Sequence, residues 1–325
     1  MDPLSQLFAH PRAQGVFALL MTMRGPWAIQ VADRAALTLM VVTGGRIRVR
    51  AGTAYPALHP GDIALIRGPE PYRVAGDPAG PVVARIEPGE RCVTPDGRPL
   101  HQALAHGLRH WGNDADGPDR VIVASYADAG SVGSFVTEVL PDLAVLPAGT
   151  VDPALIAQLH REIGRDGLGQ QVVLDRLIDI VTIEAIRCWA AANPPSGAPW
   201  LAGVTDPAVA AALDAIHTRT ENAWTVSDLA KLGAVSRATL AARFHRLVGQ
   251  PPLRYLARWR LALARDLLAE RALTLDAIAG RVGYSSGFAL SAAFTREYGQ
   301  SPAAYRRRLA EPEWAEIVGG QSILS

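Results

Sequence analysis

Two stretches of this chain, LAKLGAVSRATLAARFHRLVG (229–249) and IAGRVGYSSGFALSAAFTREYG (278–299), repeat one order of small, apolar and glycine positions. Ala230 and Ala234 stand four apart, as do Ala279 and Gly283. Helices that cross closely need a small residue at the crossing, and the bend between them needs glycine or another small residue. Each second helix begins near a serine, Ser236 or Ser286, and ends at Gly249 or Gly299, which suit left-handed C-terminal caps. The helical period buries Leu240, Phe244, Leu247 and Val248 in the first copy, and Leu290, Phe294 and Tyr298 in the second. The offset is 49 residues across the first helices, Leu229 to Ile278, and 50 across the second, Leu240 to Leu290. One residue is therefore added in the second turn. Between the copies, PPLRYLARWRLALARDLLAE predicts a long helix from Pro252, with Leu253, Leu256, Leu263 and Leu267 on its inner seam. A helical strut of this kind holds two second helices at a set distance, suited to successive major grooves ~34 Å apart on one face of DNA.

The rest of the chain has a different character. Residues 1–147 read as β-rich, with WAIQV, LTLMVV, RIRVR, DIALIR, VVARIE and RVIVASY as strands between Gly, Pro and Asp turns. RIRVR alternates strictly, which points Ile47 and Val49 inward and Arg46, Arg48 and Arg50 to water. Short strands at this spacing suggest a sandwich or small barrel. Two helices follow over 152–192, the first opening with Asp152 as N-cap and Pro153 behind it. The second has two apolar stripes: Leu174, Ile178, Val181 and Ala185 on one, and Val173, Leu177 and Ile180 on the other. Such a helix either sits in a core or packs its own domain and a second subunit. The Pro/Gly/Ser-rich stretch 193–204 reads as a linker, and 205–310 as helical throughout, with a further Asp206-Pro207 cap, a capping-box start at Thr225 and a last short helix at SPAAYRRR. The predicted fold is α+β in two domains, closing with an acidic, flexible tail over 311–325.

Charge follows the same division. Residues 205–310 carry fourteen Arg and one Lys against eight acids, a net of +7, whereas 1–204 and the tail each come to −3. A basic module joined to an acidic one fits a chain of which one half meets a polyanion. The longest apolar runs are too short to span a bilayer, and MDPLSQLFAHPR shows no secretory pattern, so a cytoplasmic protein without membrane contact is expected. The two cysteines, Cys92 and Cys188, are not paired by spacing and read as reduced thiols.

Residues 205–308 resemble the DNA-binding domain of the AraC/XylS family of bacterial transcription regulators. The resemblance is carried by WTVSDLA, SRATLAARF, VGQPPLRYLARWRLALARDLL, IAGRVGYSS and FTREYGQSPAAYRRR, in order and spacing over about a third of the chain. It implies double-stranded DNA as partner and a sequence-specific regulator. It places the base readers at Ala238, Ala241 and Ala242, then Phe288, Ser291 and Ala292. The exposed faces also bring Arg237, Thr239, Arg243 and Arg246 to the first surface, and Gly287, Thr295 and Arg296 to the second. Ala and Phe can touch a thymine methyl but make no bidentate bond to a base. Selectivity is therefore expected to lean on Arg237, Arg243, Ser291, thymine contacts and DNA shape. Arg246, Arg254, Arg258, Arg296, Arg306, Arg307 and Arg308 suit phosphate contacts or surface ion pairs, while Arg260, on the apolar seam, suits a buried ion pair or a phosphate.

Residues 1–190 resemble the cupin sensor domain of one AraC subfamily, through LHPGDIALIRGPEPYRV, GPWAIQ and DPLSQLF. Many cupins hold a metal through a His-x-His pair, a Glu and a later His. Here no His-x-His occurs and the later position is Tyr72, so neither a metal nor another cofactor is expected. His59 is expected on the surface, and His101, His106 and His110 in an irregular insertion. Trp27, Met40, Val42, Tyr55 and Tyr72 suit either the wall of an effector cavity or ordinary core. A homodimer, a small-molecule effector and, for an activator, contact with RNA polymerase are the remaining expected partners. No nucleophile, base and orienter set stands out, so the chain is not expected to be an enzyme. Two alternatives stay open: a cupin-type enzyme with an appended helical domain, and a redox-sensing regulator acting through Cys92.

Overall fold

The computed structural model describes residues 16–100, 102–107, 109–127, 140–193 and 206–310. The expected linker beyond Asn193, the acidic tail, His101 and the DPLSQLF start lie outside the described residues. The chain divides into two compact units, the first ending at Ala192 and the second beginning at Asn193.

The first unit is built on two sheets. The larger is formed by β1 (Val16–Met23), β3 (Leu37–Gly44), β6 (Ile63–Arg67), β10 (Ala105–Gly107), β11 (His110–Gly112), β12 (Asp119–Tyr126) and β13 (Leu143–Leu146). Its order is β10-β11-β1-β12-β3-β6-β13. The smaller holds β2 (Ala28–Val31), β4 (Ile47–Arg50), β5 (Ala57–Leu58), β7 (Tyr72–Ala75), β8 (Val82–Glu87) and β9 (Arg91–Val93), in the order β5-β4-β7-β2-β8-β9. Alternate residues of both sheets meet in one core that includes Met21, Ile29, Met40, Val42, Ile47, Val49 and Val74. This is the cupin-like architecture expected from the sequence, and Ile47 and Val49 face inward as their alternation requires.

The larger sheet is apolar on both faces. Leu37, Leu39 and Val41 lie on the face of β3 that, through the register Tyr126↔Leu37 and Ala124↔Leu39, is shared with Tyr126. The Tyr126 hydroxyl bonds Thr182 Oγ1 at 2.9 Å, across to α2 (Gln170–Ala192). The outer face is therefore covered by helix, which is why LTLMVV runs apolar without alternating. The shorter helix, α1 (Pro153–Ile163), starts as expected at Asp152, whose carboxylate accepts from the Ala154 N–H.

The docked face of α2 is the Leu174, Ile178, Val181 and Ala185 stripe, all fully buried. The other predicted stripe is split. Val173 and Ile180 remain 44% and 46% exposed, but Leu177 is buried and is corrected from the outer face to the inner one. A residue one step from Ile178 lies only 100° round the helix, and the packed arc is wide enough to include it.

The second unit is all helix: α3 (Pro207–Thr218), α4 (Val226–Leu232), α5 (Arg237–Val248), α6 (Pro252–Leu267), α7 (Leu275–Val282), α8 (Gly287–Tyr298) and α9 (Pro302–Ala310). Side-chain oxygens cap α3, α4, α5, α7 and α8 through Asp206, Thr225, Ser236, Thr274 and Ser286. Each satisfies an amide that the first turn of a helix leaves open.

Candidate nucleic-acid interface

The duplicated object of the sequence is duplicated in space, down to single hydrogen bonds. In the first copy the Val235 N–H donates to the Ala230 carbonyl at 3.1 Å; in the second, the Tyr284 N–H donates to the Ala279 carbonyl at 2.8 Å. Between them sit Ala234 and Gly283, both left-handed, with φ of 52° and 83°. The serine caps follow at once in the first copy and one residue later in the second, which places the added residue between Tyr284 and Ser286. The crossings are tight where the sequence is small: a Cβ on Gly233 would come within 2.6 Å of Ala208.

The strut α6 contributes to both copies. Near its start, Tyr255 meets Phe244 edge-on at 5.7 Å, and Trp259 meets His217 of α3 at 4.2 Å. Further along, Leu261, Ala264 and Leu268 join Ile278, Leu290 and Phe294 in the core of the second copy. Leu253, predicted on the inner seam, is 42% exposed instead. It lies in the first turn, ahead of the point where α6 meets the first copy.

Burial sorts the predicted surface residues. On α5, Arg237, Ala238, Ala242 and Arg246 are exposed, and Thr239, Ala241 and Arg243 are half-buried. The Thr239 hydroxyl is tied to the cap, 2.8 Å from Ser236 Oγ, and Arg243 pairs with the cap residue Asp206 at 3.3 Å. On α8, Ala292, Thr295 and Arg296 are exposed, Ser291 is half-buried, and the Phe288 ring is 85% exposed. Gly287 is corrected: it is buried, with its N–H donating to Asp276 Oδ1 at 2.6 Å. The surface of α8 therefore begins one residue later, at Phe288.

Two arginines expected at phosphates or ion pairs serve the backbone. Arg260 donates to the Thr220 and Asn222 carbonyls at 2.9 and 2.7 Å, which closes the end of α3 against the strut. Arg306 donates to the Leu268 and Leu273 carbonyls at 3.1 and 2.9 Å. Arg258 pairs with Glu297 at 3.2 Å, joining α6 to α8. A charge-assisted bond to a carbonyl fixes a turn more firmly than a neutral one.

A family model described as a helix-turn-helix domain matches residues 229–308, and one described as a cupin matches residues 2–191. An AraC-like transcription regulator of Streptomyces lividans is 31% identical over 320 residues, which cover 96% of this chain and 100% of that one. The chain belongs to the AraC-like transcription regulators. Like them it is a DNA-binding protein, and its partner is double-stranded DNA. The regulator AlkR of Acinetobacter baylyi is 30% identical over 321 residues, 95% of this chain and 100% of that one. Among solved structures, the DNA-binding domain of AdpA in complex with a target DNA is 35% identical, with a TM-score of 0.31; the match covers 33% of this chain and 98% of that one.

The cupin unit of this AraC-like regulator contains a cavity between its sheets, of which Met40 and Tyr72 form part of the wall. Trp27 and Val42 take the other alternative, ordinary core, and Tyr55 takes neither. Trp27 is fully buried with its indole N–H donated to Asp119 Oδ2 at 2.8 Å, and Val42 is fully buried in the barrel core. Tyr55 stands outside the cavity with the Arg50 guanidinium 4.6 Å from its ring centre. The residues that the sequence did not single out include Asp33, Glu90 and Trp111. They sit in irregular or short-strand segments, where no periodicity points to an interior.

His106 and His110 lie on β10 and β11, short strands rather than an irregular insertion, with rings 5.3 Å apart. His106 Nε2 lies 3.0 Å from the Gly112 carbonyl and His110 Nε2 lies 2.8 Å from Thr22 Oγ1. Burial pulls the His110 pKa down, with His106 adding to the effect. Among the described residues no group of three His, Cys, Asp or Glu is placed to hold a metal ion. Nor is any described helix long and apolar enough to cross a membrane.

Proposed function

We propose that this regulator inserts α5 and α8 into successive major grooves of its operator, and that the cupin unit controls that act through an effector and through dimerisation. The observation that carries this reading is the repeated hydrogen-bonded turn. Val235 to Ala230 and Tyr284 to Ala279 give both second helices the same departure from their first helices. A single packed strut then serves both copies. The surfaces presented are poor in base-selective groups. Ala238, Ala242, Phe288 and Ala292 offer apolar contact, so selectivity falls to Arg237, Ser291, thymine methyls and the deformability of the site. Arg246, Arg254 and Arg296 are exposed and suit the phosphates. Arg243, held by Asp206, orients the start of α3 against α5 and reaches DNA only by exchanging that partner.

Dimerisation is supported by Val173 and Ile180, which lie seven residues apart on the outer face of α2 and remain exposed. Two copies double the number of base contacts, which a surface of alanines needs. Contact with RNA polymerase belongs to this reading only for an activator. The cytoplasm is the compartment where such a protein meets DNA.

A gel-shift titration at fixed salt tests the DNA interface. Arg237→Ala is expected to weaken operator binding by ~1–3 kcal/mol. Unchanged binding removes Arg237 from the interface.

A further inference from the structure

The outer face of the smaller sheet carries a row of like charges. Ile47, Val49, Tyr72 and Val74 point into the core, so Arg48 and Arg50 of β4 and Arg73 of β7 point away from it. Arg50 lies directly opposite Arg73, Arg73 opposite Gln30 of β2, and Gln30 beside Arg85 of β8. All five side chains are half-buried or exposed. Neighbouring strands stand ~4.8 Å apart, so the row from Arg50 to Arg85 covers about 14 Å of sheet, with Arg48 beside it. Like charges placed opposite one another on two strands destabilise the sheet that holds them.

The unit itself offsets little of that repulsion. One carboxylate, Glu87, reaches the edge of the row and is shared between Arg85 at 2.7 Å and Arg91 at 3.0 Å. The other three arginines have neutral partners. Arg73 donates to the Gly80 carbonyl at 2.8 Å and Arg48 to the Tyr55 carbonyl at 3.4 Å, while the Arg50 guanidinium lies 4.6 Å from the Tyr55 ring centre. Gln30 donates to the Tyr72 carbonyl at 3.2 Å and brings no charge. Among the described residues no ion pair involves Arg48, Arg50 or Arg73. Nor does a basic composition account for the row, since residues 1–204 are net −3.

We infer that this face is a second DNA-binding surface, on which the phosphate backbone of duplex beyond the stretch taken by α5 and α8 lies across Arg48, Arg50 and Arg73. Charge complementarity selects a polyanion, and double-stranded DNA is already the partner of this chain. Each strand presents a phosphate every ~3.4 Å along the axis, so about 14 Å of duplex offers about four of them to a row of this length. A lone small anion meets one or two of the arginines and leaves the rest unrelieved. The guanidinium fork also matches a phosphate edge. Such a contact reads no bases; it adds affinity that is independent of sequence and sensitive to salt. It goes beyond the helix insertion proposed above and lies on the other unit.

The full-length protein is titrated by fluorescence anisotropy with a random-sequence duplex of about 60 base pairs, from about 50 to 200 mM salt. Each phosphate contact contributes about 0.9 to the slope of log affinity against log salt, so Arg48→Gln, Arg50→Gln and Arg73→Gln together are expected to lower the slope by about 2.7. Over that range the unmodified protein then loses about 40-fold more affinity than the variant. Arg98→Gln, Arg165→Gln and Arg187→Gln together remove the same charge from exposed arginines of the same unit, each paired with an acid, and are expected to leave the slope unchanged. Arg50→Gln alone, the exposed member of the three, is expected to lower the slope by about 0.9, and it keeps the test open if the triple variant does not fold. An unchanged slope in these variants overturns the inference. An equal change from the control set also overturns it, by assigning the effect to net charge. An unchanged slope with a lower mass by light scattering makes the face a contact between copies instead. Arg237→Ala tests the helices on the operator, so the two readings fail separately.

Discussion

Ala234 and Gly283 occupy equivalent positions in the two helix-turn-helix units, both left-handed, at φ 52° and 83°. Only the second is glycine. An alanine in the left-handed region costs roughly 1–2 kcal/mol through its Cβ, against which the extra chain entropy of glycine in the unfolded state offsets part. Ala234→Gly is therefore expected to stabilise the helical unit by about 0.5–1 kcal/mol. Gly283→Ala goes the other way, because a Cβ there would stand 2.6 Å from Arg260 Nη2 and 2.7 Å from the Glu221 carbonyl. A loss of about 1–3 kcal/mol is expected, read as a lowered denaturant midpoint. Equal effects of the two changes would mean that the turns are not equivalent.

Phe288, on α8, is the most exposed large apolar side chain of the helical unit among the described residues. Phe288→Ala is expected to leave the melting temperature unchanged and weaken operator binding by ~1–3 kcal/mol, through lost contact with a thymine methyl. Competition between operator and random duplex should show the loss confined to the operator. An equal loss on both would make Phe288 a backbone contact instead.

His217 gives the helical unit a pH dependence of known sign. It is buried against Trp259, with Nε2 2.8 Å from the Tyr255 hydroxyl, and burial pulls its pKa down to about 3. The unfolded chain takes up this proton near pH 6.5, whereas the folded chain does not until about pH 3. Stability is therefore full above pH 6.5 and falls by roughly 1.4 kcal/mol per pH unit below it, down to about pH 3. Denaturant melts at pH 7 and pH 5 should differ by that slope, and His217→Gln should flatten it. A melt in which the variant keeps the slope assigns the dependence elsewhere.

Cys92 is buried in the cavity wall, and desolvation pushes its thiol up to about 11. Reactivity follows the thiolate fraction, so Cys92 is expected to react with thiol reagents roughly a hundredfold or more slower than free cysteine at pH 7. Mass spectrometry of the Cys92 peptide after timed exposure to iodoacetamide measures it. Rapid modification of the folded protein would revive the redox alternative.

Val173 and Ile180 are exposed at successive heptad positions of α2. If that face is the dimer contact, Val173→Glu with Ile180→Glu should halve the mass seen by light scattering and leave the thermal transition in place. Retention of the native mass places the dimer, or its absence, elsewhere.

Local chemistry determined much of this molecule. Five of the caps, at Asp152, Asp206, Thr225, Ser236 and Ser286, are set by single residues whose oxygens reach the next few amides, so those helix starts were legible, whereas the Thr274 cap shows only in the structure. The double helix-turn-helix was legible for a stronger reason. Small residues at crossings and turns, apolar residues on one helical period, and an offset of 49 then 50 are constraints along the chain itself. What the tertiary structure alone decided are relations between residues distant in sequence. Whether Arg260 meets a phosphate or the Thr220 carbonyl depends on where α3 ends in space, and no spacing records that. Leu177 moved inward because a packed arc is wider than a stripe drawn on a helical wheel, and Gly287 because Asp276, on another helix, reaches its N–H. The cavity is the clearest case. Asp33, Glu90 and Trp111 come from three separate segments, and only the closing of two sheets over one another brings them to the wall of one apolar space.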